Sequence, residues 1–172
     1  MAILPIITFP NPILKKQATE VEAITPEVLA LLSSMAETMY AAPGIGLAAN
    51  QIGHLIRVIV IDVDDPEDTE VENYGLLKLI NPEIISYSGR IDSEEGCLSI
   101  PEVRETIQRH DIVTVQAMNE LGDEIEITAN GMMSRCLQHE IDHLNGVLFI
   151  DHLTTLRREF VRKQIQKLTK PL

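Results

Sequence analysis

Apolar positions 28, 29, 32, 35 and 39 (Val28, Leu29, Leu32, Met35, Met39) recur at helical spacing. The residues just before them supply a helix start: Thr25 as N-cap, Pro26 at the first helical position and Glu27 near the positive helix end. Pro43-Gly44 stops that helix. Short apolar runs rich in β-branched residues then predict strands over 57–63 and 76–80, with a further one over 84–87 before a Ser88-Gly89 turn. Segments 111–118 and 124–128 flank Asn119-Glu120-Leu121-Gly122-Asp123 and predict a hairpin. A second helix is expected from an N-cap at Asn130 to about Leu144, where Asn145-Gly146 ends it. Residues 147–150 predict one more strand, and 154–170 a third helix, amphipathic and basic. Strands grouped between helices, without strict alternation, predict an α+β fold. Its sheets are mainly antiparallel and pack around the second helix.

With 172 residues and 45% hydrophobic content, the chain can bury one ordinary core, and a single domain over 1–172 is expected. Apolar runs such as 58–61 are far too short to span a bilayer. The first residues lack a basic region followed by an apolar stretch, so a cytoplasmic setting, in a bacterium, is expected. Two cysteines, Cys97 and Cys136, do not make a disulfide scaffold. A net charge of −12 argues against general affinity for nucleic acid. That charge is unevenly spread. The segment from His152 to Leu172 holds six basic residues and one acid, leaving −17 on residues 1–151.

The most specific chemistry lies in the second helix, in His139-Glu140-Ile141-Asp142-His143. Residues four apart share a helix face about 5.4 Å apart, so the two imidazoles can hold one metal ion. Glu140, beside the first ligand, can reach a water on that ion as the general base of a metallohydrolase does. A catalytic metal site needs a third protein ligand. The longer endopeptidase pattern would put a third histidine at position 149, which is Phe149. That leaves the cysteines. Cys136 precedes His139 by one helical turn, whereas Cys97 lies far upstream in Glu94-Glu95-Gly96-Cys97-Leu98-Ser99. A ligand from a separate element closes a tetrahedral site more easily, which favours Cys97 without excluding Cys136.

Gly44-Ile45-Gly46-Leu47-Ala48-Ala49-Asn50-Gln51 lets backbone approach a ligand closely. It is neither a dinucleotide loop nor a phosphate loop, because the third glycine and the Gly-Lys-Ser/Thr are missing. In order and spacing, the segments 44–51, 95–99 and 138–143 resemble the three signature motifs of the peptide deformylases. The likeness extends over essentially the whole chain.

The resemblance implies Cys97, His139 and His143 as metal ligands and Glu140 as general acid and base. It implies that Gln51, through its side-chain amide, and Leu98, through its backbone N–H, donate to the oxygen of the reacting formyl group. Ile45, Gly46, Glu95, Arg104 and Cys136 match positions near the bound substrate, while Arg135 is left outside the site. The implied cofactor is one divalent ion, ferrous iron, with zinc or nickel able to occupy the same site. The implied substrate is the N-formyl-methionyl end of a nascent peptide, with formate released. The basic tail then reads either as a solvated helix packed on the body or as a contact to the ribosome. A metalloendopeptidase and a non-enzymatic metal-binding module are the rival readings of the same motif.

Overall fold

The computed structural model describes residues 2–64 and 74–169. Among these residues, three α-helices (α1, Pro26–Ala41; α2, Gly131–Leu144; α3, Thr155–Thr169) accompany seven strands. The strands are β1 (Gly46–Ala48), β2 (Val58–Ile61), β3 (Leu77–Ser88), β4 (Ile91–Cys97), β5 (Ile100–Arg109), β6 (Ile112–Met118) and β7 (Glu124–Ala129). One sheet has the order β1-β2-β3-β6-β7, the other is the β4–β5 hairpin, and these strands all pair antiparallel. This is the α+β arrangement the patterning predicts. No helix among the described residues is long and apolar enough to cross a membrane.

The reason β2 is apolar at every position is that both its faces are covered. Val58 and Val60 pack with Leu32, Met35 and Met39 of α1. Ile59 and Ile61 face the opposite way, onto Leu137, Ile141 and Leu144 of α2. The large sheet is therefore held between the two helices. A third core, with Leu14, Ile100, Val103, Ile107 and Phe149, joins the hairpin to Val161 and Ile165 of α3.

Helix α1 starts as expected, with the Thr25 hydroxyl accepting from the Val28 N–H at 3.3 Å. Its predicted apolar stripe is buried at Leu32, Met35 and Met39, whereas Leu29 is exposed. Asn130 stands at the N-cap of α2, but its side chain makes no capping bond.

Three expectations change. Segments 76–80 and 84–87 belong to one strand, β3, with a register irregularity between Ile80 and Glu83. Asn81 sits there at φ 52°, and its side-chain amide pairs with both the N–H and the carbonyl of Val21, at 2.8 and 2.9 Å. That exchange stands in for a ladder pair where Pro82 lacks a donor. Residues 147–150 form no strand; Phe149–His152 is a 3₁₀ turn. The β4–β5 hairpin has no counterpart in the predicted strands. The acidic segment 64–73, whose sequence reads as a solvated surface loop, lies outside the described residues beyond Asp64, as does Lys170.

Candidate active site and metal centre

Helix α2 presents His139 and His143 on the face turned toward the end of the hairpin, where β4 finishes with Cys97. The Sγ of Cys97 lies 3.4 Å from Nε2 of His143, and that nitrogen lies 3.3 Å from Nε2 of His139. One donor atom from each of the three falls within 4.8 Å of the others. With metal–nitrogen bonds of about 2.0–2.1 Å and a metal–sulfur bond of about 2.3 Å, tetrahedral corners sit roughly 3.3–3.5 Å apart. The donor set and its spacing thus fit a single divalent ion, with a fourth position left for a small ligand. Cys136 has a different place. It is buried, and its thiol points at the Ile45 carbonyl at 3.8 Å. At position 149, Phe149 is buried and lies against the His139 ring, with centroids 6.2 Å apart.

The tautomer of His139 follows from its neighbour. Glu95 Oε1 stands 2.9 Å from His139 Nδ1, and an ionised carboxylate only accepts, so Nδ1 carries the proton and Nε2 is left to bind. Burial alone would raise the Glu95 pKa. The fork of Arg109, with Nε and Nη2 each 2.8 Å from a carboxylate oxygen, and the His139 bond hold it well below the usual carboxylate range. Burial pushes His143 the other way, well below its ordinary value, helped by His139 and Arg109; a neutral imidazole is the ligand form.

Glu140 is buried, and its pKa is pushed up to about 7. Burial is the main cause; Glu95 and Asp142 add to it, while His139 and Arg109 oppose it. A carboxyl poised there suits proton transfer near neutrality. Its Oε2 is buried without a hydrogen-bond partner among the described residues, the state of an acceptor that awaits a ligand or water. Gly46 makes this placement possible. A Cβ built on Gly46 would lie 2.7 Å from Glu140 Oε1 and 2.9 Å from Cys136 Sγ. The glycine segment is therefore a strand, β1, pressed against α2, followed by a 3₁₀ turn (Ala49–Ile52) that carries Gln51.

Gln51 is buried and its orientation is fixed from both ends. Its Oε1 accepts from the Ala48 N–H at 2.9 Å. Its Nε2 lies 3.1 Å from the Ser99 hydroxyl and 3.5 Å from Cys97 Sγ. The amide hydrogens are thus turned toward the cluster.

Gln51, Cys97, His139 and Glu140 line one cavity of about 720 Å³. Its lining also includes Gly44, Ile45, Leu98, Met132 and Cys136. Glu95 lines it too, though its buried carboxylate is committed to Arg109 and His139. Arg104 reaches it from the exposed face of β5, paired with Glu94 at 3.1 Å. Arg135, left outside by the sequence reading, also lines it. Ser99 and Asp142 stood in the quoted motifs without a role and Arg109 stood outside them, because their partners Gln51, Arg109 and Glu95 lie at distances the chain order does not show. The Gln-x-x-x-Asp spacing of Gln138 and Asp142 was the available signal, since both fall on one helix face.

Comparison with known proteins agrees with this geometry. Residues 3–159 match the family model described as polypeptide deformylase. A peptide deformylase of Syntrophobacter fumaroxidans is 47% identical over 167 residues, covering 97% of this chain and 96% of that protein. The crystal structure of an Ehrlichia chaffeensis peptide deformylase in complex with actinonin superposes with a TM-score of 0.93 at 37% identity, covering 99% of this chain and 100% of that one. A Met-Ala-Ser-bound class I type b peptide deformylase from Acinetobacter baumannii gives 0.81 at 32% identity, over 88% of this chain and 99% of that one. With its three motifs drawn to one cavity and its match to the family running nearly end to end, this chain belongs to the polypeptide deformylase family.

Proposed function

We propose that the chain acts as one metallohydrolase domain that removes the formyl group from the N-formyl-methionyl end of nascent peptides and releases formate. The observation that carries this reading is the convergence of Cys97, His139 and His143 on one point, with Glu140 buried beside them and Gln51 turned inward. The Met-Ala-Ser bound to the Acinetobacter relative is the peptide such a reaction would leave.

Cys97, His139 and His143 would hold one divalent ion, which supplies Lewis acidity and brings the pKa of a bound water toward neutrality. Glu140 takes a proton from the attacking water. It later gives that proton to the leaving nitrogen, so the peptide departs as a free amine. The Gln51 amide and the Leu98 N–H donate to the formyl oxygen, where negative charge develops. Each such donor is worth about 10² to 10³ in rate. Ile45, Gly46 and Cys136 shape the apolar wall for the methionine side chain. Arg104 lies along the peptide that follows, and Glu95 serves His139.

Two imidazoles and a thiolate suit several first-row ions. Ferrous iron is the proposed resident, with zinc or nickel able to take the same site. The proposed setting is a bacterial cytoplasm. Helix α3 carries Arg157, Arg158, Arg162, Lys163 and Lys167 beside exposed Leu156 and Phe160, and is proposed to contact the ribosome.

The test is anaerobic Fe(II) loading followed by formate release from formyl-Met-Ala-Ser, beside an acetylated control. Formate from the first and no hydrolysis of the second is the expected result. No formate from a protein that holds one tightly bound ion would overturn the reading.

A further inference from the structure

The three donors come from two elements: Cys97 from the β4–β5 hairpin, His139 and His143 from α2. The spacing of the site is therefore set by how these elements are held together. One guanidinium joins them. Arg109, the last residue of β5, is 5% exposed. Its Nε and Nη2 donate to the two oxygens of Glu95, each at 2.8 Å, two residues before Cys97. Its Nη1 donates to Asp142 Oδ2 at 2.6 Å, one residue before His143. Glu95 also fixes His139. The neighbouring His110 is gripped by the same helix, its N–H and carbonyl each 2.9 Å from the Gln138 amide. Asp142 is supported on its outer side by His152 Nε2 at 2.8 Å.

All three ligands are thus within two residues of, or bonded to, a partner of this one side chain. A buried ion network of this kind is weak evidence for stability, because apolar packing would serve as well. What a planar fork provides instead is fixed geometry. We propose that Arg109, anchored by Asp142 as well as by Glu95, is a positioning residue that clamps the Cys97 hairpin to the histidine helix and thereby sets the metal affinity of the site. Asp142 is then the second anchor of that clamp, and not an incidental surface acid. The inference rests on the metal-site reading given above.

The full-length protein is tested with Co(II) as the probe ion. Affinity is read by chelator competition, site geometry by the cobalt d–d bands, and folding by circular dichroism on the same samples. Asp142→Asn keeps the shape and removes the anchoring charge; Arg109→Lys keeps the charge and removes the fork. Both are expected to weaken Co(II) binding about 10–100-fold and to alter the d–d bands while the fold is retained. Asp142→Glu is expected to recover part of the loss. Should Asp142→Asn fail to fold, Arg109→Lys carries the same comparison. A folded variant equal to the parent in affinity and spectrum would overturn the clamp. A parent protein that binds no Co(II) would overturn the metal site itself, and the two failures are distinct.

Discussion

Gly46 and Glu140 approach so closely that a side chain on the first would collide with the carboxylate of the second: the built Cβ stands 2.7 Å from Oε1 and 2.9 Å from Cγ. The contact is between the first residue of β1, paired with Ile61 of β2, and a helix packed across the strand, so the strand cannot simply shift away. Gly46→Ala should displace Glu140 and Cys136 without touching a metal ligand. Misplacement of a reacting group by about 1 Å costs about 10² in rate. The expected outcome is a loss of that order in kcat, with one ion per chain retained by metal analysis. Unchanged kcat would show that Glu140 has room to move.

Glu140 itself is expected to separate chemistry from binding. Glu140→Gln keeps the shape and removes the proton carrier, so formate release should fall by about 10² to 10⁴. Metal content should stay near one ion per chain. A variant that keeps its rate would exclude Glu140 as the acid and base.

The two cysteines predict opposite results. Cys97→Ser replaces a soft donor next to both imidazoles and should weaken metal binding. Cys136→Ser removes a buried thiol that faces the Ile45 carbonyl and should leave the metal in place. Equilibrium dialysis against Zn(II) distinguishes the variants. Metal loss from Cys136→Ser alone would reassign the third ligand.

Glu95 links the site to acid stability. Its folded pKa is depressed, so its ionised pairing with Arg109 contributes above the unfolded carboxyl value of about 4.3 and is lost as pH falls below it. Breaking a buried pair costs about 3–5 kcal/mol. Metal-free Glu95→Gln should therefore be less stable than the parent at pH 7 by up to that amount in urea melts. The gap should narrow as pH drops from about 4.3 toward 3. A gap independent of pH would mean that the carboxylate's charge contributes nothing.

Local chemistry made much of this legible without coordinates. His139 and His143 share a face because a helix repeats every 3.6 residues, and Thr25 and Pro26 start α1 for reasons contained in four residues. The hydrophobic pattern likewise determined which face of α1 is buried and where β2, β6 and β7 run. What the pattern missed was the β4–β5 hairpin, because the inward face of β4 carries Ser93 and Glu95, and β5 ends inward on Arg109. A strand that buries an ion network reads as polar and leaves no period-2 apolar signal. The choice between Cys97 and Cys136 stayed open on spacing alone. The folded chain groups Cys97 with the two histidines, by ending β4 beside His143, and presses Cys136 against Gly46. Phe149, predicted in a strand, turns into a 3₁₀ segment so that its ring can fill the space against His139. The sequence by itself determined that His139, Glu140 and His143 lie together on one helix, since periodicity and residue type are local. The distances among them depend on how two separately built elements pack, and only the folded chain sets those.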